Sequence, residues 1–173
     1  MTEGSKQEIS EQISTRPVVM PDDEIFLKEL YASTREEDVA MWGMPDEQAK
    51  MLVDMQYRAQ KGQYEGQYPE ALHEIILFNG TPVGRMMTTR SEEEVFFIDI
   101  AVLTDYRSLG IGTVIFKGLM REAQESNRPL NFSVLVSNHK AIKLYKRLGM
   151  DFIGDTGSHY LLRWQPVGPD EKL

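Results

Sequence analysis

Residues 95–123 read VFFIDIAVLTDYRSLGIGTVIFKGLMREA. Val95 to Leu103 is an apolar run with strand character, and Thr104-Asp105-Tyr106 ends it. Arg107-Ser108-Leu109-Gly110-Ile111-Gly112 follows, and a helical pattern starts without a gap. Ile111, Ile115 and Leu119 fall on one stripe, with Phe116, Met120 and Ala123 beside it. A strand that runs through a glycine-containing turn into a helix exposes several backbone N–H groups at the positive end of a helix dipole. That combination is suited to an anion.

Downstream, Ser126-Asn127-Arg128-Pro129 ends the helix and Leu130 to Val136 reads as a short buried strand. Asn138 to Leu148 is helical and is stopped by Gly149. Met150 to Ile153 and His159 to Trp164 read as a closing pair of strands. Upstream, Asn79-Gly80 is a strong hairpin signal between strands over His73 to Phe78 and Thr81 to Thr88. Ahead of the hairpin, Ile13 to Met20 suits an edge strand, because Pro17 cannot donate to a sheet ladder. Pro21-Asp22-Asp23-Glu24 opens a helix to about Ala32. Ser33 and Thr34 are placed to cap a second helix over Arg35 to Met41, ended by Gly43. Pro45-Asp46-Glu47 opens a third, with Met51, Leu52, Met55 and Ala59 on its apolar face. Gly62 and Gly66 are expected to break it, leaving Gln63 to Glu70 as a loop rich in Tyr and carboxylates.

This order of elements argues an α/β or α+β fold with a mixed central sheet flanked by helices. The unit from Val95 to Val136 is expected to be a right-handed parallel crossover. A single domain over 13–165 is expected, with flexible segments at 1–12 and 166–173.

Composition narrows the chemistry. Without Cys, the chain has no disulfide framework, thiolate metal site or Cys nucleophile. The three histidines, His73, His139 and His159, are too scattered for a zinc centre, so no metal is expected. A net charge of −8 and a pI near 4.9 oppose binding to a phosphate backbone, so no nucleic-acid partner is expected. Acidic surfaces favour encounter with cationic molecules. Neither an apolar leader segment nor a long apolar run is present, which gives the expectation of a cytoplasmic protein without a membrane partner.

The glycine turn fails two phosphate-loop patterns. Thr113 follows Gly112 where a nucleoside-triphosphate loop needs Lys, and Ile115 stands where a dinucleotide turn needs its third Gly. What remains is Arg-x-x-Gly-x-Gly on a strand–turn–helix, which resembles the pyrophosphate loop of the GNAT superfamily of acetyl-CoA-dependent N-acetyltransferases. A second stretch, Asn138-His139-Lys140-Ala141-Ile142-Lys143-Leu144-Tyr145-Lys146-Arg147-Leu148-Gly149-Met150, is similar to the other signature of that superfamily. It departs only in having Met150 where Phe is usual. Together the two cover about 95–153.

The resemblance implies acetyl-CoA as cosubstrate. The backbone around Arg107, Ser108, Leu109, Gly110, Ile111, Gly112 and Thr113 would cradle its pyrophosphate, with Arg107 as a contact or a brace. Ala101, Val102 and Leu103 would pair with the pantetheine amides. Asn138 would cap its helix and touch the cofactor. Tyr145, on the inward face with Ala141, Leu144 and Leu148, would protonate the departing thiolate. A packed core tyrosine is the alternative for Tyr145. The Glu that some members use as base would fall near Phe96, so it is absent. Asp99, the lone carboxylate in the apolar strand, is the candidate base, with a structural acceptor as its alternative, and Ser133 could position a water.

Tyr64, Glu65, Tyr68 and Glu70 suit a cationic amine, and Arg35, Glu36 and Glu37 are further candidates. These features point to direct acetyl transfer to a primary amine, either on a small molecule or on a peptide or protein N-terminus, with a homodimer allowed. The rival from another class is a non-catalytic acyl-CoA-binding regulatory module.

Overall fold

A computed structural model describes residues 9–167. The expected flexible segments therefore fall largely outside it, although residues 9–12 are helical. The strands are β1 (Ile13–Pro17), β2 (Leu72–Phe78), β3 (Thr81–Arg90), β4 (Val95–Val102), β5 (Leu130–Leu135), β6 (Asp151–Asp155) and β7 (His159–Trp164). The helices after residue 12 are α1 (Glu24–Ser33), α2 (Glu36–Trp42), α3 (Asp46–Gln67), α4 (Ile111–Glu125) and α5 (His139–Arg147). A 3-10 turn spans Thr104–Tyr106. The strands form one mixed sheet in the order β1-β2-β3-β4-β5-β7-β6. Among the described residues no helix is long and apolar enough to cross a membrane.

β1 lies at the sheet edge, antiparallel to β2, with Pro17 at its end opposite Glu74. The β2–β3 turn takes φ 50° at Asn79 and 78° at Gly80, the left-handed pair that a two-residue hairpin requires. β4 and β5 are parallel, as a crossover through α4 demands. Their ladder runs from Val95↔Leu130 to Phe97↔Phe132, although both strands continue further. β7 is antiparallel to both β5 and β6, and the β6 pairing is interrupted by a bulge between Phe152 and Gly154.

Chain contacts divide the molecule into two compact units. The first comprises residues up to Met87 together with Ile100–Ile111. Its core gathers Leu27 and Tyr31 of α1, Val53 and Tyr57 of α3 and Ile75 of β2. The Tyr31 and Tyr57 rings stand 5.7 Å apart at 59°. Burial of each such side chain contributes about 1.5–3 kcal/mol. Asp23 leads into α1 but does not cap it. Its buried carboxylate takes two bonds of 2.7 Å from the Arg16 guanidinium and one of 2.8 Å from the Val19 N–H. These donors, Arg16 first, hold its pKa down at about 2.

The second unit comprises Thr88–Asp99 and the chain from Gly112 onward. It is built on aromatic rings. Phe97 of β4, Phe116 of α4 and Phe132 of β5 lie with centroids 4.6, 5.2 and 6.0 Å apart. Such tilted and edge-on pairs add to the area they bury. The α4 stripe read from the sequence is the one that is buried, from Ile111 through Ala123. Arg90 clamps Glu122 of α4 with bonds of 2.6 and 2.8 Å. Val167 exchanges two bonds of 2.9 Å with the Gln124 side chain.

Three local expectations are overturned. α3 continues through Gly62 and Gly66 to Gln67, so the Tyr-rich stretch is helix rather than loop. A glycine inside a helix costs only about 1 kcal/mol relative to alanine. Tertiary contacts outweigh that: Lys61 donates to Glu24 at 3.2 Å, and Tyr64 lies under the Arg85 guanidinium at 5.5 Å. The buried stripe of α3 is Ala49, Val53 and Tyr57, while Met51 and Met55 are 74% and 60% exposed. The tyrosine at i+4 from Val53 meets Tyr31, and hydropathy alone ranked the methionines above it. Ser33 and Thr34 do not cap α2. Their hydroxyls donate to Leu30 O at 2.8 Å and Tyr31 O at 2.6 Å and so close α1.

Candidate active site

β4 ends where β3 presses against it. An ideal Cβ on Gly84 would sit 2.4 Å from the Ala101 carbonyl oxygen and 3.3 Å from Val102 Cα. Only glycine admits that approach, and an isolated glycine within a strand was the available sequence signal for it. The Leu103 N–H donates to Val83 O at 2.9 Å, and Arg107 folds back so that its Nε donates to Val102 O at 2.9 Å. Arg107 is thus a brace for the loop it opens. Leu103 N–H and Val102 C=O, two of the groups expected to pair with pantetheine, already hold these partners. Thr104 hangs the following turn on the α1–α2 junction, its hydroxyl 3.4 Å from Ser33 O and 3.3 Å from Glu36 Oε2.

The loop then passes through left-handed backbone at Ser108 (φ 65°) and Gly110 (φ 95°), and α4 begins at Ile111. Ser108 is uncommon there for a residue with a Cβ. At Gly110 a Cβ would meet nothing within 4 Å, so its glycine serves the backbone turn and not a tight contact. At Gly112 a Cβ would meet only Leu144 Cδ2, at 3.7 Å. Among the described residues no turn or loop bond engages the N–H groups from Ser108 to Thr113. Gly110 has no side chain with which to cap the helix. Arg107, Ser108 and Leu109 are exposed, Gly110, Gly112 and Thr113 half-buried. Ile111 is 2% exposed, so it can offer a ligand nothing but its backbone. Open N–H groups with a helix start behind them suit a pyrophosphate.

α5 is built differently. Asn138 accepts the Ala141 N–H at 3.1 Å, the capping bond expected of it. Tyr145 is 5% exposed, its ring 4.7 Å from Phe116 and 4.5 Å from Phe132. Burial first, and the Asp99 carboxylate second, push the Tyr145 hydroxyl well above its ordinary pKa. The phenol therefore stays protonated at any physiological pH, as a hydrogen-bond or proton donor must. The structure brings the two candidate catalytic residues into electrostatic reach of one another. Asp99 is half-buried on β4, while Ser133 and Asn138 are exposed.

Of the acceptor candidates, Tyr64 and Glu65 line a cavity in the first unit, and Tyr68 and Glu70 are not among its lining residues. Arg35 pairs with Asp38 at 2.9 Å and donates to the Tyr31 hydroxyl at 3.3 Å. The same cavity is lined by His73 and Arg85, which lie in strands whose sequence shows no motif.

Comparison with known proteins gives the class. The profile of the acetyltransferase (GNAT) family matches residues 27–150, and the chain belongs to that family. It is 30% identical over 102 residues to Probable N-acetyltransferase san of Drosophila melanogaster, covering 56% of this chain and 55% of that protein. It is 26% identical over 102 residues to N-alpha-acetyltransferase 50 of Danio rerio, covering 56% and 60%. The chain thus spans little more than half the length of these relatives. Its fold is similar to that of Arabidopsis thaliana Naa50 in complex with the bisubstrate analogue CoA-Ac-MVNAL. The TM-score is 0.60 at 17% identity, over 89% of this chain and 99% of that one.

Proposed function

We propose that the chain transfers an acetyl group from acetyl-CoA to a primary amine by direct attack within a ternary complex. The observation that carries this is the buried Tyr145 hydroxyl, kept protonated by its burial and by Asp99. In the transfer, the amine nitrogen bonds to the thioester carbon, the C–S bond breaks, the thiolate takes the Tyr145 proton, and the proton shed by the acylated nitrogen restores the phenol. An amine with a pKa of roughly 8–10 is mostly protonated near neutrality, so it must lose a proton first. Asp99 receives that proton directly or through a water positioned by Ser133. With no Cys in the chain, a thiol-borne acetyl-enzyme is unavailable. The N–H groups of Leu109, Gly110, Gly112 and Thr113 hold the pyrophosphate, and the end of β4 lies along the pantetheine arm.

The acceptor is the α-amine of a peptide or protein N-terminus. What supports this is the company the chain keeps: a relative named as an N-alpha-acetyltransferase, and a structural neighbour described with CoA joined to an acetylated peptide. The deciding experiment is thiol release from acetyl-CoA against a panel of peptides with free N-termini and of small amines. Turnover confined to peptides is expected. Tight acetyl-CoA binding without turnover on any acceptor would leave a regulatory binding module instead. Asp99→Asn should lower the rate and change the acidic limb of the pH profile, and a profile matching the parent would remove Asp99 as base.

A further inference from the structure

α5 has a one-sided charge. It carries Lys140, Lys143, Lys146 and Arg147 and no Asp or Glu, in a chain whose net charge is −8. Elsewhere the cations Arg16, Lys28, Arg35, Arg58, Lys61 and Arg90 each have a carboxylate at 2.5–3.7 Å. On α5, Lys146 is engaged with the Phe152 ring, its Nζ 5.1 Å from the centroid. The side chains of Lys140, Lys143 and Arg147 are exposed and have neither an ion pair nor a hydrogen bond among the described residues. Their spacing at i, i+3 and i+4 makes them repel, at about 0.2–0.5 kcal/mol per pair. Arg147, in the last turn, complements the helix dipole, but Lys140 in the first turn opposes it. Helix stability therefore gives no account of this stripe.

Its position does. Leu144 follows Lys140 by four residues and precedes Arg147 by three, so the three side chains share one face. Leu144 Cδ2 is the atom that a Cβ on Gly112 would meet, at 3.7 Å. Lys140 and Arg147 thus flank the contact between α5 and the first turn of α4. Competing carboxylates are turned elsewhere. The first turn of α4 has none, and its Glu122 and Glu125 stand at the far end, Glu122 held by Arg90. Asp151, the next carboxylate after α5, is opposite Arg163 in the β6–β7 ladder, and Asp99 acts on the buried Tyr145.

We infer that Lys140, Lys143 and Arg147 hold the ribose 3′-phosphate of acetyl-CoA, the group that sets coenzyme A apart from its dephospho form. The inference rests on the reading of the open turn as the pyrophosphate site, because the ribose joins the two phosphate groups and the cations stand beside that turn. A phosphate monoester carries a charge of about −1.5 to −2 near neutrality, more than either phosphorus of the pyrophosphate. Backbone N–H groups suffice for the latter, whereas the monoester calls for side-chain cations. Its arrival also removes the repulsion along α5.

The test is calorimetric titration of the full chain with acetyl-CoA and with acetyl-3′-dephospho-CoA at low salt. Acetyl-CoA should bind about tenfold more tightly, and salt at about 0.5 M should shrink that ratio. In the double variant Lys140→Gln/Arg147→Gln the ratio should fall to within about twofold of unity, with affinity for the dephospho form little changed. Lys146→Gln removes the same charge from the same helix and should leave the ratio intact. Comparing two nucleotides on one protein cancels any change in its folded fraction. A ratio that survives in the double variant, or that Lys146→Gln lowers equally, would overturn the assignment. Equal affinity of the parent for both nucleotides would overturn it alone and leave the proposed function standing. Failure of the parent to bind either would bring down both.

Discussion

β4 and β5 run parallel, and each leads into a helix, but the two helices begin in opposite ways. α5 uses its own side chain: Asn138 accepts the Ala141 N–H, and that orphan donor is satisfied from within. α4 follows a glycine with no side chain to offer, after a left-handed serine whose backbone costs of order 1 kcal/mol. The fold needs helices in both places, yet only one start is closed. A helix start left open, at the expense of backbone strain, suits the pyrophosphate proposed for it. The closed one serves to seat Tyr145.

Four substitutions break or sharpen that contrast. Tyr145→Phe removes the hydroxyl that the closed helix positions and leaves the aromatic packing in place. Turnover should fall at least ~100-fold, within the range for loss of a general acid or base. Acetyl-CoA affinity by calorimetry should stay within about twofold. An unchanged rate would demote Tyr145 to a core residue.

Gly84→Ala acts one step upstream of the open helix, by driving a Cβ into the Ala101 carbonyl. Thermal and denaturant unfolding should report a loss of about 2 kcal/mol, typical of overpacking. A neutral result would mean that the end of β4 does not depend on close contact with β3. Gly110→Ala strains the open turn itself, since φ 95° suits glycine alone. Acetyl-CoA should bind about tenfold more weakly, equivalent to ~1.4 kcal/mol, with stability lowered by about 1 kcal/mol. Equal affinity would take the pyrophosphate away from this loop. The smallest effect belongs to the closed start. Asn138→Ala should cost about 1 kcal/mol of stability by urea unfolding, the usual value of such a cap. A loss of acetyl-CoA affinity larger than the loss of stability would add a ligand contact to its capping role.

Much of this contrast was legible from the residues. Asn79-Gly80, Gly43, Asn138 and Gly149 stand where local backbone chemistry asks for them, and each takes the turn or cap that its residue type predicts. The α4 stripe was legible because its apolar residues recur at helical spacing and find one continuous partner surface. α3 was not. Gly62 and Gly66 look like breakers, and Met51 with Met55 looks like a buried face. The helix nonetheless runs on, because Tyr57, Lys61 and Tyr64 find partners on α1 and β3. Ser33 and Thr34 misled for a related reason: a hydroxyl between two helices can serve either, and the carbonyls of α1 were the nearer acceptors.

The sequence by itself determined the strand–turn–helix, the open and closed helix starts and the family they resemble, because turns and caps depend on residues adjacent in the chain. Only the tertiary structure decided three further things. It set the buried face of α3, the pressure of Gly84 on β4 and the electrostatic pairing of Asp99 with Tyr145. Each of these depends on groups far apart in the chain, where packing and burial act and where local pattern carries no information.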